Sequence, residues 1–275
     1  MSVQSAGSSR GVTTTSLREM KRRGERIAVL TAYDYLFARL VDEAGTDVVL
    51  VGDSLGHVVL GYDSTVPVTL DDMIHHARAV RRGIRRALVV VDLPFLTYQV
   101  TREDAIRNAG RVLQETGAAA VKLEGGSPEV VETVRALVRV GIPVMAHLGF
   151  TPQSVNVIGG SRVQGREEGG RDRLMAEARA LEDAGAFCCV LELVPGSIAS
   201  AVTQSLSIPT IGIGAGVGCD GQVLVLHDML GLNEDFTPRF LRRFGELGQA
   251  TRAALADYVS AVRAGEYPAA EHTFE

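Results

Sequence analysis

The 275-residue chain has no tryptophan, three cysteines and only two lysines, and aromatic residues make up 5% of it. Each shortage excludes something. Cys188, Cys189 and Cys219 are odd in number, have no metal-ligand spacing, and two of them lie inside an apolar run, so neither a disulfide framework nor a zinc site is expected. They read as buried thiols of a reducing compartment. No apolar run reaches membrane-spanning length, and the start, MSVQSAGSSRGVTTTS, lacks the apolar core of a signal peptide. The expectation is a cytoplasmic protein with no membrane partner. With a net charge of -5 the chain has no overall basic surface to meet a phosphate backbone, so no nucleic-acid partner is expected.

What is present is apolar material in short, regular pieces. Hydrophobic residues make up 46% of the chain, and runs rich in Val, Ile and Leu recur at 27–34, 47–54, 86–94, 118–126, 142–149, 187–195, 208–216 and 223–231. They are almost continuously apolar, as parallel strands covered on both faces must be. Between most of them lie segments of helical spacing with start signals at Thr69, Thr101 and Ser127-Pro128, and stops at Gly45, Gly83, Gly117, Gly141 and Gly185. Eight strand-then-helix units predict an α/β fold, a (β/α)8 TIM barrel. A doubly wound sheet is the alternative, because GVGCDGQ is too short to hold a helix between the last two strands. Residues 1–13 read as a flexible N-terminal segment and 14–275 as a single barrel catalytic domain with C-terminal helices.

Most runs end, on their C-terminal side, in a residue capable of chemistry: Asp34, Asp53 with Ser54, Asp92, Lys122 with Glu124, His147, Glu192, the glycines of GIGAG, and His227 with Asp228. Barrel enzymes build their sites on that face. Taken singly, Asp34, His227 and Asp228 read as caps or solvent-facing strand ends. In AVKLEGG, 120–126, period two sends Lys122 and Glu124 to one side and Val121 and Leu123 to the other. With the apolar pair against the helices, the charged pair faces the lumen, where uncompensated charge costs several kcal/mol. A mutual structural ion pair is one reading. Among 26 arginines, however, a lysine at this position points to a need for a compact ammonium.

Asp53, Asp92 and Glu124 are carboxylates at the mouths of different strands and would repel one another unless a proton or a cation lies between them. A hard ion, magnesium, suits such a set. Glu192, within VLELVP, has apolar neighbours that would raise its pKa and suit it to proton abstraction; it could equally cap the helix that starts near Gly196. GVGCDG at 216–221 has the letters of a dinucleotide fingerprint, but a strand-like run follows where the fingerprint needs a helix. A cation, an inward lysine and a carboxylate base are together the equipment for making an enolate from a 2-oxo acid.

The stretches VGDSLG (51–56), DSTVPVTLDDM (63–73), DLPF (92–95), VKLEGG (121–126), HLGFTPQSVN (147–156), GGSRVQGR (159–166), IPTIGIGAG and YPAAEHTF (267–274) closely resemble the ketopantoate hydroxymethyltransferase family over nearly the whole chain. The resemblance implies a barrel like that of the phosphoenolpyruvate mutase and isocitrate lyase group, assembled as a homodecamer. It implies transfer of a hydroxymethyl group from 5,10-methylenetetrahydrofolate to 3-methyl-2-oxobutanoate, forming ketopantoate in pantothenate biosynthesis with Mg2+. By the same resemblance Asp53, Asp92 and Glu124 hold the metal, Asp53, Ser54, Asp92 and Lys122 bind the oxo acid, and Glu192 is the catalytic base. His147 begins a family motif and reads as a hydrogen-bonding or structural histidine rather than a catalytic one. The competing readings are a metal-dependent lyase or mutase of the related barrel group acting on a 2-oxo acid, for which the expected loop cysteine is missing, and a noncatalytic metabolite-binding barrel.

Overall fold

Eight parallel strands close on themselves in chain order, with the last hydrogen-bonded back to the first. The computed structural model describes residues 11–274, and they fall into two compact units that part after Val225. The first unit runs α1 (Thr14–Arg23), β1 (Ile27–Thr31), α2 (Tyr35–Glu43), β2 (Val48–Val51), α3 (Leu55–Val58), α4 (Leu70–Gly83), β3 (Leu88–Asp92), α5 (Arg102–Thr116) and β4 (Ala120–Glu124). It continues with α6 (Pro128–Arg139), β5 (Val144–Gly149), α7 (Val155–Ile158), α8 (Gly170–Asp183), β6 (Cys188–Glu192), α9 (Gly196–Ser205), β7 (Thr210–Ile213) and β8 (Gly221–Leu224). The second unit holds α10 (Leu226–Met229) and α11 (Leu247–Ala264). No described helix is long and apolar enough to cross a membrane.

The barrel interior follows from period two. Val29, Val48, Leu50, Leu88, Val90, Ala120, Met145, Cys188, Val190, Ile211 and Val223 form one buried cluster. Their partners one residue along, such as Val89, Val91, Val121, Leu123 and Cys189, are buried too. Strands covered on both faces account for the unbroken apolar runs. Continuing the inner series carries it to Asp92, Lys122, Glu124, His147 and Glu192 at the C-terminal ends. At the opposite end Leu17 of α1 joins the same cluster. There the other lysine, Lys21, donates to Thr203 O (2.8 Å), Ile208 O (3.0 Å) and Asp220 Oδ2 (3.0 Å), just ahead of β7 and β8.

Helix starts fall where the sequence marks them. Thr69 caps α4 in a reciprocal box with Asp72, Thr101 caps α5, and Ser127 caps α6 with Pro128 in its first turn. Two differences from expectation have physical reasons. Gly83 is the last residue of α4 rather than a stop beyond it. A Cβ there would sit 2.7 Å from Tyr35 O and 2.9 Å from Ala38 Cβ, so the glycine lets α2 and α4 touch. The eighth apolar run, 223–231, is not one strand. β8 starts at Gly221 and ends at Leu224, its pairing with β7 stopping at Gln222 and its pairing with β1 at Leu224, opposite Leu30. The chain then satisfies its own backbone groups in the turn of α10, which carries His227 and Asp228 away from the role of strand-end residues. Finally, β7 and β8 join without a helix, yet the sheet closes, which excludes the doubly wound alternative. Of the N-terminal segment expected to be flexible, residues 1–10 lie outside the described residues. Val12 N–H donates to Arg86 O, and Thr13 caps α1.

Candidate active site

Strand register brings the expected residues to one level. Asp92 pairs with Lys122 across β3 and β4, Glu124 with His147 across β4 and β5, and Gly149 with Glu192 across β5 and β6. Asp53 and Ser54 follow β2 in the turn that opens α3. Lys122 Nζ lies 2.9 Å from Asp92 Oδ2 and 3.9 Å from Glu124 Oε1, and Asp92 Oδ2 also accepts the Asp53 backbone N–H at 3.1 Å. Asp53, Asp92, Lys122 and Glu124 are all buried. Ser54 Oγ is 2.9 Å from the hydroxyl of buried Tyr33 and makes no helix-capping bond, so its side chain faces the mouth rather than the backbone of α3.

His147 links this group to Glu192. Its Nδ1 lies 3.4 Å from Glu124 Oε1 and its Nε2 3.3 Å from Glu192 Oε2, charge contacts without hydrogen-bond alignment. Burial works against the imidazolium, but the two carboxylates outweigh it and raise the His147 pKa to about 9. Where an apolar enclosure was expected for Glu192, its side chain is 18% exposed and its neighbour is this histidine. Glu192 does not cap α9, whose N-terminus has no side-chain cap.

With every group ionised, four carboxylates against one ammonium and one imidazolium would leave two negative charges uncompensated, and the carboxyl groups respond by holding their protons more tightly. Burial is the largest reason that Asp53 stands well above the usual carboxylate range, with the charges of Asp92 and Glu124 adding to it. Burial raises Asp92 too, against the pull of Lys122. Burial opposes ionisation of Glu124 as well, but His147, Lys122 and the Gln153 backbone N–H lower its pKa overall. The Lys122 ammonium, penalised by burial, is held above its ordinary pKa by Asp92, Glu124 and Asp53. Both Glu124 oxygens are engaged, whereas Asp92 Oδ1 is buried with no hydrogen-bond partner among the described residues.

Two residues at the centre of the network carried no sequence signal of their own. Gln153 donates from Nε2 to Asp53 Oδ2 and to Leu93 O, each at 2.9 Å, and from its backbone N–H to Glu124 Oε2 at 3.1 Å. Tyr98 takes the Glu124 backbone N–H at 3.0 Å and reaches Gln153 Oε1 at 2.9 Å. Gln153 arrives through a tight turn at Gly149 (φ +94°), where a Cβ would lie 2.2 Å from Glu192 O. Gln153 lies within HLGFTPQSVN, so the motif marked its neighbourhood without its role. Tyr98 is in a loop, where no periodicity exists to select it.

The remaining candidates separate cleanly. Asp34 caps α2 through Phe37 N, as its strand-end position suggested. The three cysteines are buried thiols. Among the described residues no three His, Cys, Asp or Glu side chains form a ready-made metal cage.

Fold and site together define a (β/α)8-barrel enzyme whose charged centre lies at the C-terminal mouth of the strands. Solved structures similar in fold include 2,3-dimethylmalate lyase, a member of the phosphoenolpyruvate mutase/isocitrate lyase superfamily, at TM-score 0.60 and 21% identity over 95% of this chain and 92% of that one. The phosphoenolpyruvate phosphomutase of Streptomyces platensis subsp. rosaceus is similar at TM-score 0.62 and 16% identity, over 92% and 88%. At that identity they show the barrel and no more. The model of the ketopantoate hydroxymethyltransferase family matches residues 11–270. Proteins named 3-methyl-2-oxobutanoate hydroxymethyltransferase are 55% identical in Syntrophus aciditrophicus, covering 100% of both chains, and 58% identical in Moorella thermoacetica, covering 96% of this chain and 98% of that one. The chain belongs to the ketopantoate hydroxymethyltransferase family. It is a hydroxymethyl transferase, and the lyase or mutase alternative is not favoured.

Proposed function

We propose that Asp53, Asp92 and Glu124 hold a magnesium ion, that Asp53, Ser54, Asp92 and Lys122 bind 3-methyl-2-oxobutanoate, and that Glu192 takes the proton from its C3. The observation that carries this reading is the buried cluster of Asp53, Asp92 and Glu124 around Lys122, with Asp92 Oδ1 unpartnered among the described residues. Those groups fit a hard divalent cation that takes one or two carboxylates and completes its shell with water and ligand oxygens. Asp53, Asp92 and Glu124 would hold the ion, with Asp92 Oδ1 free of any hydrogen bond among the described residues and both Glu124 oxygens already engaged within the cluster.

When bound, the ion supplies positive charge against the oxygens of the oxo acid as negative charge develops there. The Lys122 ammonium adds a second positive charge beside Asp92, and the Ser54 hydroxyl, set by Tyr33, orients the acid at the mouth. Glu192 stands across from this group, within reach of the open end, and accepts the C3 proton. His147 holds Glu192 to Glu124 by charge and keeps the base aimed inward. Both C–N bonds of the folate methylene bridge break, replaced by a bond to C3 and a bond to an oxygen from water, and the two protons released, one from C3 and one from water, go to the folate nitrogens as tetrahydrofolate leaves.

The assay combines protein, 3-methyl-2-oxobutanoate, methylenetetrahydrofolate and Mg2+, with ketopantoate as the expected product. Its absence with folded protein rejects the reading. Glu192→Gln is expected to abolish deuterium exchange at C3 in D2O, while Mg2+-dependent binding of the oxo acid persists. Retained exchange removes Glu192 from the base role.

The same reading includes a cytoplasmic homodecamer. Association between copies is supported by α11, which exposes Leu255 (59%), Tyr258 (56%), Val259 (42%) and Val262 (44%), more apolar surface than a lone helix keeps in water.

A further inference from the structure

We propose that Gln153 is a positioning residue of the cation site, its side-chain amide setting the plane of the Asp53 carboxylate while its backbone N–H holds Glu124. The inference rests on the reading of Asp53, Asp92 and Glu124 as that site. Its ground is the directionality of the hydrogen bonds. Leu93 O can only accept, so the group facing it at 2.9 Å must be the amide Nε2. Nε2 then has one remaining hydrogen, and Asp53 Oδ2 lies 2.9 Å away to receive it. The other end agrees: Tyr98 OH directs its single hydrogen to Gln153 Oε1 at 2.9 Å, the shorter of its two acceptors, and Gln99 Nε2 donates to the same oxygen at 3.1 Å. Turning the amide over would set oxygen against oxygen on one side and leave donors facing each other on the other.

The consequence reaches two strands at once. Asp53 stands beyond β2 in the turn that opens α3, outside the strand ladder, and Glu124 ends β4. Gln153 is 4% exposed and seated in the short 3-10 turn Pro152–Ser154, so it moves little. A neutral donor suits this post. A lysine there would compete with the cation for Asp53, and a second carboxylate would repel it.

The test measures Mn2+ binding by electron paramagnetic resonance of the free ion, with metal alone added to the full chain. Gln153→Met keeps the length and loses the donor. It is expected to bind Mn2+ roughly 10- to 100-fold more weakly, while circular dichroism in EDTA is unchanged and turnover returns as Mg2+ is raised. A purely structural role would not produce that return. Gln114→Met, exposed on α5 and outside this hydrogen-bond network, is expected to bind as the unmodified chain does. If Gln153→Met does not fold, Tyr98→Phe carries the test, because it removes the hydroxyl that orients the amide, and weakened Mn2+ binding is expected there too. Unaltered Mn2+ affinity in a folded Gln153→Met or Tyr98→Phe protein overturns the inference alone. Failure of the unmodified chain to bind Mn2+ overturns the reading of the site, and the inference with it.

Discussion

Lys122 is an ammonium shut in by carboxylates, and its removal exposes what those carboxylates do to one another. Breaking a buried pair by deleting one partner costs about 3–5 kcal/mol. Lys122→Met is therefore expected to lower stability by that order in urea unfolding without metal. Adding Asp92→Asn should restore part of the loss, since the orphaned charge goes with it. A double variant less stable than Lys122→Met would contradict the pairing. Lys122→Arg keeps the charge but substitutes a larger planar fork in a pocket with Asp92 at 2.9 Å, so oxo-acid binding and turnover should both collapse. Cys189 offers a pH test well away from the site. Burial pushes its thiol from 9.0 up to about 12. Above pH 9 the unfolded chain releases this proton and the folded chain keeps it, so stability should fall as pH rises from about 9 towards 12. Cys189→Ala or Cys189→Ser should flatten that decline. An unchanged alkaline slope in both would remove the thiol as its cause.

At the scale of elements, helices and strands meet at a few close contacts that tolerate nothing larger than hydrogen. Gly83→Ala would gain about 1 kcal/mol of helix propensity in α4. Against it stands a Cβ at 2.7 Å from Tyr35 O, a backbone atom that cannot step aside unless α2 moves. Overpacking of this kind costs typically 1–3 kcal/mol, so the contact outweighs the propensity and Gly83→Ala should melt at lower temperature. A higher melting temperature would mean that α2 yields easily. Helix entry points, by contrast, were readable from Thr69, Thr101 and Ser127, because an N-cap is a local transaction between one side chain and the next turn. Gly83 defeats local reading for the opposite reason: its role is set by Tyr35 and Ala38, more than forty residues away in the chain.

For the whole molecule, a cation held by Asp53, Asp92 and Glu124, as proposed, would contribute to folding stability by relieving the crowding of buried carboxyl groups in the barrel mouth. A ligand that binds only the folded chain stabilises it by about 2.7 kcal/mol at 100 times its dissociation constant. Mg2+ should raise the melting temperature, EDTA should reverse this, and Asp92→Asn should abolish the response. A response that survives Asp92→Asn would move the metal elsewhere. If α11 joins copies of the chain, Tyr258→Asp with Val262→Asp should reduce the sedimentation coefficient, and an unchanged value would remove that helix from the assembly surface.

Eight apolar runs, their intervening helices and the inward side of Lys122 and Glu124 were all readable in one dimension, because strand alternation, helix spacing and caps depend on neighbours in the chain. Asp53, Asp92, Glu124 and Glu192 were nameable for the same reason, each following an apolar run. The rest needed three dimensions. The end of β8 depended on how far its pairing with β7 and β1 extends, and the surroundings of Glu192 depended on a histidine from the adjacent strand. Gln153 and Tyr98 sit in loops, where sequence has no period, and their importance arises from hydrogen-bond directions among groups that only closure of the barrel brings within 3 Å or so of one another. Local pattern is written residue by residue, whereas electrostatic compensation is a property of whatever the fold gathers.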